Sequence, residues 1–174
     1  YNGVTLTKIE NANLSNIETI TADLGDGVDT LSYGSATTTA VNVSLAAGFA
    51  SGFGFVAGIE NVTGGAGNDT IGGDTAANIL LGGNGNDTLL GGIGNDTLNG
   101  QGGTDTVSYV DETSGFAIDL SAGTARRGSP AAAVEDTLVS IENVVGSSFD
   151  DVITGNNGAN TLSGLGGADT ISGG

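Results

Sequence analysis

Cysteine, histidine, methionine and tryptophan are absent from this chain of 174 residues, and proline occurs once. Without cysteine there is no disulfide framework and no thiolate metal site, and without histidine as well, zinc and copper are not expected. The same absences exclude Ser-His-Asp and Cys-His catalytic arrangements. Aromatic residues make up 5% of the chain. We therefore expect no thick core, but a fold that buries a single aliphatic side chain per turn.

Long apolar runs are also missing. No stretch of about 18 apolar residues occurs, so the sequence predicts no membrane span. The chain begins without Met and without a recognisable signal peptide, so we expect an excised piece of a longer protein.

Positive charge is scarce, with 3 Lys and Arg against 20 Asp and Glu and a formal net charge of −17. Such a surface repels nucleic acid and anionic lipid, so we expect no nucleic-acid partner. Self-repulsion also disfavours a compact chain without counter-cations, and we expect disorder in the metal-free state. Hard divalent cations, which prefer oxygen ligands, are the expected partners.

Glycine is abundant, at 33 residues, and it recurs in a nine-residue frame. Three rows carry Gly at places one, two and four, Asp at place six and an aliphatic residue at place eight: 64–72, 82–90 and 91–99. Five more rows keep the Asx residue at place six and the aliphatic residue at place eight: 73–81, 100–108, 146–154, 155–163 and 164–172. Another row begins at Gly173. We name each row by its first residue.

Longer segments separate the nonapeptide rows, and they too are repeated. Residues 43–48 match 118–123, and Ile59–Val62 matches Ile141–Val144, which gives a super-period of 75–82 residues. Apolar and polar residues alternate in these segments, as in half-buried strands, and no helical periodicity occurs. We predict four units, which are an irregular strand-rich unit, a first nonapeptide block, a second strand-rich unit and a second block: 1–63, 64–108, 109–145 and 146–174.

The rows resemble the G-G-x-G-x-D-x-U-x nonapeptide of the repeats-in-toxin (RTX, haemolysin-type) calcium-binding proteins. The resemblance covers about half of the chain, and eight rows in one frame make it specific. It implies an all-β fold, a parallel β-roll or β-solenoid in which six residues form a loop and three a short strand. Two rows form one coil, so that every second loop lies on the same edge. The aliphatic residues at place eight are then expected to form an inward column: Ile71, Leu80, Leu89, Leu98 and Val107.

The resemblance also implies calcium sites, because RTX proteins hold each Ca²⁺ between successive loops with Asp carboxylates and glycine carbonyls. The implied ions lie between the place-six residues of stacked rows: Asp69 and Asp87, Asp87 and Asp105, Asn78 and Asp96, Asp151 and Asp169. Asn160 is the remaining side-chain candidate. The implied carbonyl ligands belong to Gly65, Gly67, Gly83, Gly85, Gly92 and Gly94. Because Asn78 replaces a carboxylate with an amide, we expect weaker binding there.

These features predict a role outside the cell. Stacked carboxylates repel each other without metal, so binding and folding are expected to be one event. Extracellular calcium modules have dissociation constants of about 10⁻⁴–10⁻³ M, which suits the type I secretion route of RTX proteins. We expect a structural, non-enzymatic segment of a secreted bacterial protein, serving as a scaffold or building block of an adhesin, surface layer or filament. Copies could associate end to end through the sheet edges. The alternative is the auxiliary calcium domain of a secreted toxin, protease or lipase.

Other interpretations of single features remain open at this point. A Gly/Asn/Asp-rich chain can be a flexible linker, although the fixed aliphatic residue argues against one. Paired carboxylates occur in glycosidases, but no aromatic sugar platform accompanies them here. Residues 23–29 superficially resemble an EF-hand loop and are better interpreted as a degenerate row, with Asp29 near a metal. A column of threonines is a remote candidate for an ice-binding face: Thr70, Thr88 and Thr106.

Two further features concern the strand-rich units. Arg126 and Arg127 form either a processing site, a salt-bridging loop or, as the simplest interpretation, a solvated pair before Pro130. Tyr33 and Tyr109 occupy matching places. We expect both tyrosines to cover the roll where the nine-residue frame changes.

Overall fold

The structure is a computed structural model that describes residues 5–7, 21–129, 132 and 135–174. Within these residues the fold consists of nineteen short strands and has no helix. The strands are β1 (Thr5–Thr7), β2 (Thr21–Asp23), β3 (Thr30–Ser32), β4 (Asn42–Ser44), β5 (Phe49–Ala50), β6 (Phe55–Ala57), β7 (Asn61–Thr63), β8 (Thr70–Gly72), β9 (Ile79–Asn84), β10 (Thr88–Leu90), β11 (Thr97–Gly102), β12 (Thr106–Ser108), β13 (Phe116–Asp119), β14 (Thr124–Arg127), β15 (Asp136–Val139), β16 (Asn143–Val145), β17 (Val152–Thr154), β18 (Thr161–Ser163) and β19 (Thr170–Ser172). In the described part of the chain, no helix is long and apolar enough to cross a membrane.

The strands form two large sheets that face each other. The long sheet has the order β1-β3-β7-β9-β11-β15-β14-β13-β17-β19, and the short sheet has the order β18-β16-β12-β10-β8-β4-β5. A separate pair joins β2 and β6. Consecutive rows alternate between the sheets, so each strand pairs in parallel with the strand two rows later: Ile71 pairs with Leu89, and Leu80 with Leu98. The all-β fold of stacked, mainly parallel strands is the predicted β-roll, and two rows form one coil.

The core is the predicted set of aliphatic residues at place eight. These side chains are fully buried: Ile71, Leu80, Leu89, Leu98 and Val107. Because the rows alternate between sheets, they form two facing columns rather than one, and strands of the strand-rich units extend both columns with Leu31, Val62 and Val144. Buried aliphatic surface therefore runs through rows and strand-rich units alike, and this continuity holds the coils together.

Antiparallel hairpins interrupt the parallel pattern in both strand-rich units. Strand β4 pairs with β5 through Val43 and Ala50, and β13 pairs with β14 through Ile118 and Ala125. Ile118 follows Val43 by the same number of residues as Ala125 follows Ala50. The match between the two sequence segments therefore reflects a repeated hairpin. Each hairpin turn contains a glycine with φ of 64°, Gly48 or Gly123, a conformation that side chains disfavour. Strand β14 also pairs antiparallel with β15, which inserts the second hairpin into the long sheet.

Candidate metal centre

The place-six side chains stack along two edges of the roll. The short-sheet edge comprises the loops that precede short-sheet strands, and it carries Asp69, Asp87 and Asp105. The long-sheet edge carries Asn78 and Asp96, and Asp151 and Asp169 lie farther along the same sheet. All of these side chains except Asp169 are buried, and the exposed fraction of Asp87, Asp96 and Asp105 is 1% each. The structure thus brings the predicted carboxylates together in the pairs that a two-row coil requires.

A ladder of hydrogen bonds fixes one oxygen of each stacked carboxylate. The backbone N–H of each place-six residue donates to Oδ1 of the place-six residue two rows later. The bonds are Asp69 N to Asp87 at 2.7 Å, Asp87 N to Asp105 at 2.8 Å, Asn78 N to Asp96 at 2.8 Å and Asp151 N to Asp169 at 3.0 Å. The ladder orients each carboxylate and leaves Oδ2 as the oxygen free for other partners.

The loops occur in two forms, which differ in the partner of the second oxygen. In a closed loop, the side-chain oxygen of the place-six residue accepts from the N–H of place two. The four closed loops are joined by Gly65 N to Asp69 Oδ2 at 2.7 Å, Asp74 N to Asn78 Oδ1 at 2.9 Å, Ser147 N to Asp151 Oδ2 at 2.7 Å and Asn156 N to Asn160 Oδ1 at 2.8 Å.

In an open loop that bond is absent. Oδ2 of Asp87, Asp96 and Asp105 is buried and has no hydrogen-bond partner among the described residues. The place-two residues of these rows have positive φ: Gly83 at 113°, Gly92 at 86° and Gln101 at 70°. A backbone in this region presents its N–H differently, so the place-six carboxylate loses its internal donor. A buried, unpaired carboxylate oxygen is costly, so these three atoms call for a cation or a proton.

A carbonyl oxygen of the stacked row, two rows later, faces the unpaired carboxylate oxygen of Asp87. A methyl group built on Gly82 would overlap Asp87 Oδ2 and lie 2.8 Å from the carbonyl oxygen of Gly100. Within the described residues, no group of three acidic side chains converges on one point. An ion at this position would therefore take most of its ligands from the backbone, as Ca²⁺ can.

The predicted carbonyl ligands lie at the interface between stacked loops. Methyl groups built on Gly83 and Gly85 would overlap the carbonyl oxygens of Gly65 and Gly67, respectively. The Gly65 carbonyl oxygen also accepts from Asn84 N at 3.1 Å, which leaves its second lone pair available to a metal ion. The other edge has equivalent contacts.

On the long-sheet edge, the carbonyls that face Gly92 and Gly94 belong to Asp74 and Ala76. Asp74 and Ala76 are not glycines, so the search for glycine-rich loops missed them as carbonyl donors. The available signal was their position, because they occupy the same places in row 73 that Gly92 and Gly94 occupy in row 91.

The electrostatics of the open loops disfavour negative charge in the absence of metal. Burial raises the pKa of Asp87 to about 6, and the charges of Asp69 and Asp105 add to the increase, while the hydrogen bond from Asp69 N opposes it. Burial likewise raises the pKa of Asp96 to about 6 and raises that of Asp105. A divalent cation would reverse this balance, because it stabilises the ionised carboxylates directly.

Acidic residues outside the rows continue both edges, and the frame search did not find them as edge residues. Oε2 of Glu142 accepts from Asp105 N at 2.8 Å, and Oε2 of Glu60 accepts from Asp29 N at 2.9 Å. Asp136 Oδ1 accepts from Asp96 N at 3.1 Å. The signals were present: Asp136-Thr137-Leu138 repeats the end of a full row, and the two glutamates lie in the duplicated Ile-Glu-Asn-Val segments.

Asp136 differs from the row carboxylates because its second oxygen has a partner. The hydroxyl of Tyr109 donates to Asp136 Oδ2 at 2.9 Å. Burial raises the pKa of Asp136 to about 7, against the lowering effect of the Tyr109 hydrogen bond. Both tyrosines are buried as expected, and the hydroxyl of Tyr33 donates to the carbonyl oxygen of Ser51 at 2.7 Å.

The arginine pair lies in strand β14, and the expectation of a solvated loop pair is wrong. Arg127 forms ion pairs with Glu112 at 2.7 Å and Glu135 at 3.1 Å. Its guanidinium carbon lies 4.9 Å from the centre of the Phe116 ring, which stacks on Tyr109 with centroids 4.4 Å apart. Arg127 packs on Phe116, Phe116 stacks on Tyr109, and Tyr109 donates to Asp136. These contacts connect the hairpin to Asp136.

The fold and its edges define a class of protein: a β-roll whose stacked acidic loops offer oxygen ligands between coils. The family model of the RTX calcium-binding nonapeptide repeat (four copies) matches residues 56–89, 72–107 and 145–174. The nonapeptide rows of this chain are therefore RTX calcium-binding repeats. A comparison with curated proteins found no match.

Proposed function

We propose that this chain is a structural segment of an extracellular protein, and that it folds when Ca²⁺ binds between its stacked acidic loops. The carrying observation is the set of unpaired, fully buried carboxylate oxygens on Asp87, Asp96 and Asp105. Burial and the formal net charge of −17 both disfavour the ionised form of these carboxylates unless a counter-cation is bound. RTX rows are calcium-binding repeats, so Ca²⁺ is the cation that fits.

Each ion is proposed to lie between two stacked rows. On the short-sheet edge, Asp87 Oδ2 and the Gly100 carbonyl would bind one ion between rows 82 and 100. Asp69 and the Gly82 carbonyl would bind another ion between rows 64 and 82. Row pair 73 and 91 and row pair 146 and 164 supply the corresponding groups, with Asn78 and Asp151 at place six. We assign the weaker sites to the closed loops, because their place-six oxygens already accept hydrogen bonds.

The proposed location follows from calcium dependence. At millimolar extracellular Ca²⁺ such sites fill, whereas at cytosolic concentrations they stay empty. A chain that is unfolded inside the cell and folds outside suits type I secretion, and RTX repeats typically occur in secreted proteins.

We further propose a scaffold role, as a building block of an adhesin, surface layer or filament, with no catalytic role for this segment. The support is the repeated architecture: the same hairpin recurs in both strand-rich units, and both large sheets continue through these units. Copies are proposed to associate end to end, which electron microscopy with and without chelator can test. Catalytic motifs in sequence flanking residues 1 and 174 would instead favour the auxiliary domain of a toxin or hydrolase.

A circular dichroism titration with Ca²⁺ tests the central proposal. We expect a disordered spectrum in EDTA, a cooperative gain of β-structure with Ca²⁺, and no comparable gain with Mg²⁺, which requires a smaller and more regular oxygen shell. Calorimetry on the same samples gives the number of ions. Equal β-structure in EDTA and in Ca²⁺ would contradict calcium-dependent folding.

A further inference from the structure

The first nonapeptide block ends where row 100 meets the turn Ser140-Ile141-Glu142. We call this contact the short-sheet joint. Strands β12 and β16 pair across it in parallel, and Asn143 N and Glu142 N both donate to the carbonyl oxygen of Asp105, at 2.8 and 3.1 Å. One side of the joint is a nonapeptide loop and the other is not, so the repeat pattern assigns no ion here.

The joint nevertheless presents the same oxygen pair as two stacked rows. A methyl group built on Gly100 would overlap both Asp105 Oδ2 and the carbonyl oxygen of Ser140. A methyl group built on Gly64, Gly73 or Gly82 would likewise meet two groups. One is the place-six side chain of the same row, and the other is the first carbonyl of the row stacked on it, two rows later. The Ser140 carbonyl therefore occupies the place that the first carbonyl of a following row occupies elsewhere on the roll.

The carboxylate at this joint is buried and lacks a partner. Asp105 is 1% exposed, its Oδ1 accepts from Asp87 N at 2.8 Å, and its Oδ2 has no hydrogen-bond partner among the described residues. Burial raises the pKa of Asp105, and the nearby charge of Glu142 raises it further. Two acidic side chains and a carbonyl oxygen thus meet at a place that no described cation neutralises.

Two non-glycine residues with left-handed backbone flank this position. Gln101 has φ of 70° and Ser140 has φ of 49°. Each such residue costs about 1–2 kcal/mol, so the surrounding contacts must hold both loops in place. The matching turn of the first strand-rich unit has Gly58 with φ of 62° and the bond from Asp29 N to Glu60 Oε2, so this turn is a repeated element.

We propose that the short-sheet joint binds a further Ca²⁺ through Asp105 Oδ2, the Ser140 carbonyl and Glu142. The inference rests on the proposed function, because it extends calcium binding from row pairs to the border between a row and a strand-rich unit. The ion would tie the first nonapeptide block to the unit that follows it, so that calcium orders the joint as well as the roll.

The long-sheet edge provides an internal contrast. There, row 91 meets Asp136 at the equivalent border, where Asp96 N donates to Asp136 Oδ1 at 3.1 Å. The hydroxyl of Tyr109 already donates to the second oxygen of Asp136. The proposal therefore assigns a joint ion to Asp105 and none to Asp136.

Counting bound calcium in the full chain tests the inference. Equilibrium dialysis with radioactive calcium compares the parent with Glu142→Gln, Asp105→Asn and the double variant, and Asp111→Asn serves as a control because it removes one exposed charge from the same segment. Glu142→Gln is expected to lose one ion per chain. The double variant should lose no more ions than Asp105→Asn alone, because both residues serve the joint ion. Asp111→Asn should keep the parental count.

An unchanged count and affinity in Glu142→Gln would overturn the joint site while leaving the row sites intact. A parent chain that binds no calcium would instead overturn the proposed function itself. If Glu142→Gln fails to fold, a crystal structure of the calcium-loaded parent decides. A calcium peak about 2.3–2.6 Å from Asp105 Oδ2 and Ser140 O supports the site, and a water molecule at hydrogen-bonding distance there contradicts it.

Discussion

Rows 64 and 82 carry almost the same loop, Gly-Gly-Ala-Gly-Asn-Asp and Gly-Gly-Asn-Gly-Asn-Asp, yet they adopt different forms. Row 64 is closed, with Gly65 N donating to Asp69 Oδ2 at 2.7 Å. Row 82 is open, with Gly83 at φ of 113° and Asp87 Oδ2 unpaired among the described residues. Because both rows match the motif at every defining place, the loop sequence does not decide between the two forms.

The coil below each loop accounts for the difference. Row 64 rests on a strand-rich segment, where Ala66 N donates to the carbonyl of Thr37 and Val41 N donates to Asp69 Oδ1. Row 82 rests on row 64. In both blocks, the first two rows are closed, and the rows stacked on them have positive φ at place two: Gly83, Gly92, Gln101, Leu165 and Gly174. The lesson is that the open form of a loop requires a nonapeptide loop beneath it.

The largest expected effect comes from removing an open-loop carboxylate. Asp87→Ala should raise the Ca²⁺ concentration at the folding midpoint by at least about tenfold, because Asp87 borders two row pairs and its Oδ2 has no internal donor. Asp69→Ala should cause a smaller increase, because both oxygens of Asp69 already accept hydrogen bonds. Titration calorimetry and circular dichroism measure the midpoints. An effect of Asp87→Ala no larger than that of Asp69→Ala would remove the distinction between the two loop forms. An effect no larger than that of Asp169→Ala, at the partly exposed end, would contradict the role of Asp87 in two row pairs.

The next effect comes from blocking the open form through the backbone. In Gly83→Ala, the methyl group would overlap the Gly65 carbonyl at a φ that alanine disfavours. We expect a loss of about 2 kcal/mol or more in the free energy of unfolding at saturating Ca²⁺. Urea unfolding measures it. Gly102→Ala is the matched control, because its nearest neighbour would be Asn84 Oδ1 at 3.1 Å, and equal losses in the two variants would contradict a special role for the place-two backbone.

The sequence was sufficient for the features that repeat strictly. The two-row coil, the buried residues at place eight and the pairing of Asp69 with Asp87 all follow from a constant spacing. Loop form was not predictable, because Gly65 is closed while Gln101 and Leu165, which are not glycines, have positive φ. The decisive contacts come from the coil below, which lies at least one full coil away in the sequence.

The joints were harder to predict for a related reason. The matched segments at 43–48 and 118–123 indicated strands, but pairing direction depends on whether the chain turns back at Gly48 and Gly123, and short alternating runs do not encode this. Asp136 carries the Asp-Thr-Leu signature of a row. Its partner Tyr109 lies 27 residues earlier, so only the folded chain shows that a hydroxyl occupies its second oxygen.

Acidity should act on the open loops through their raised pKa values. The pKa of Asp87 and Asp96 rises from an ordinary 3.8 to about 6 in the metal-free fold, so this fold binds more protons than the unfolded chain between these pH values. Its stability should therefore increase as pH falls through about 6 towards about 4, and this contribution is lost above about 6. Calcium binding should change in the opposite direction, because protons compete for the same oxygens.

Two measurements separate these effects. Circular dichroism in EDTA should show more β-structure at pH 4.5 than at pH 7.5, and calcium titrations should give a weaker affinity at pH 5 than at pH 7.5. The variant Asp87→Asn/Asp96→Asn should lose most of the pH dependence, since its amides do not titrate in this range. A variant that retains the parental pH profile would show that other carboxylates cause it.

The smallest expected effect sharpens the comparison at a single open loop. Gln101 holds φ of 70° without being glycine, so Gln101→Gly should relieve strain and stabilise the calcium-loaded fold by about 1 kcal/mol. The matched change in a closed loop, Ser147→Gly, should destabilise, because Ser147 has no positive φ and its hydroxyl donates to Asp151 Oδ1 at 3.0 Å. Thermal unfolding at saturating Ca²⁺ compares the two variants. If both variants change stability in the same direction, glycine at place two has the same effect in both loop forms. Backbone conformation at this place would then not explain the open form.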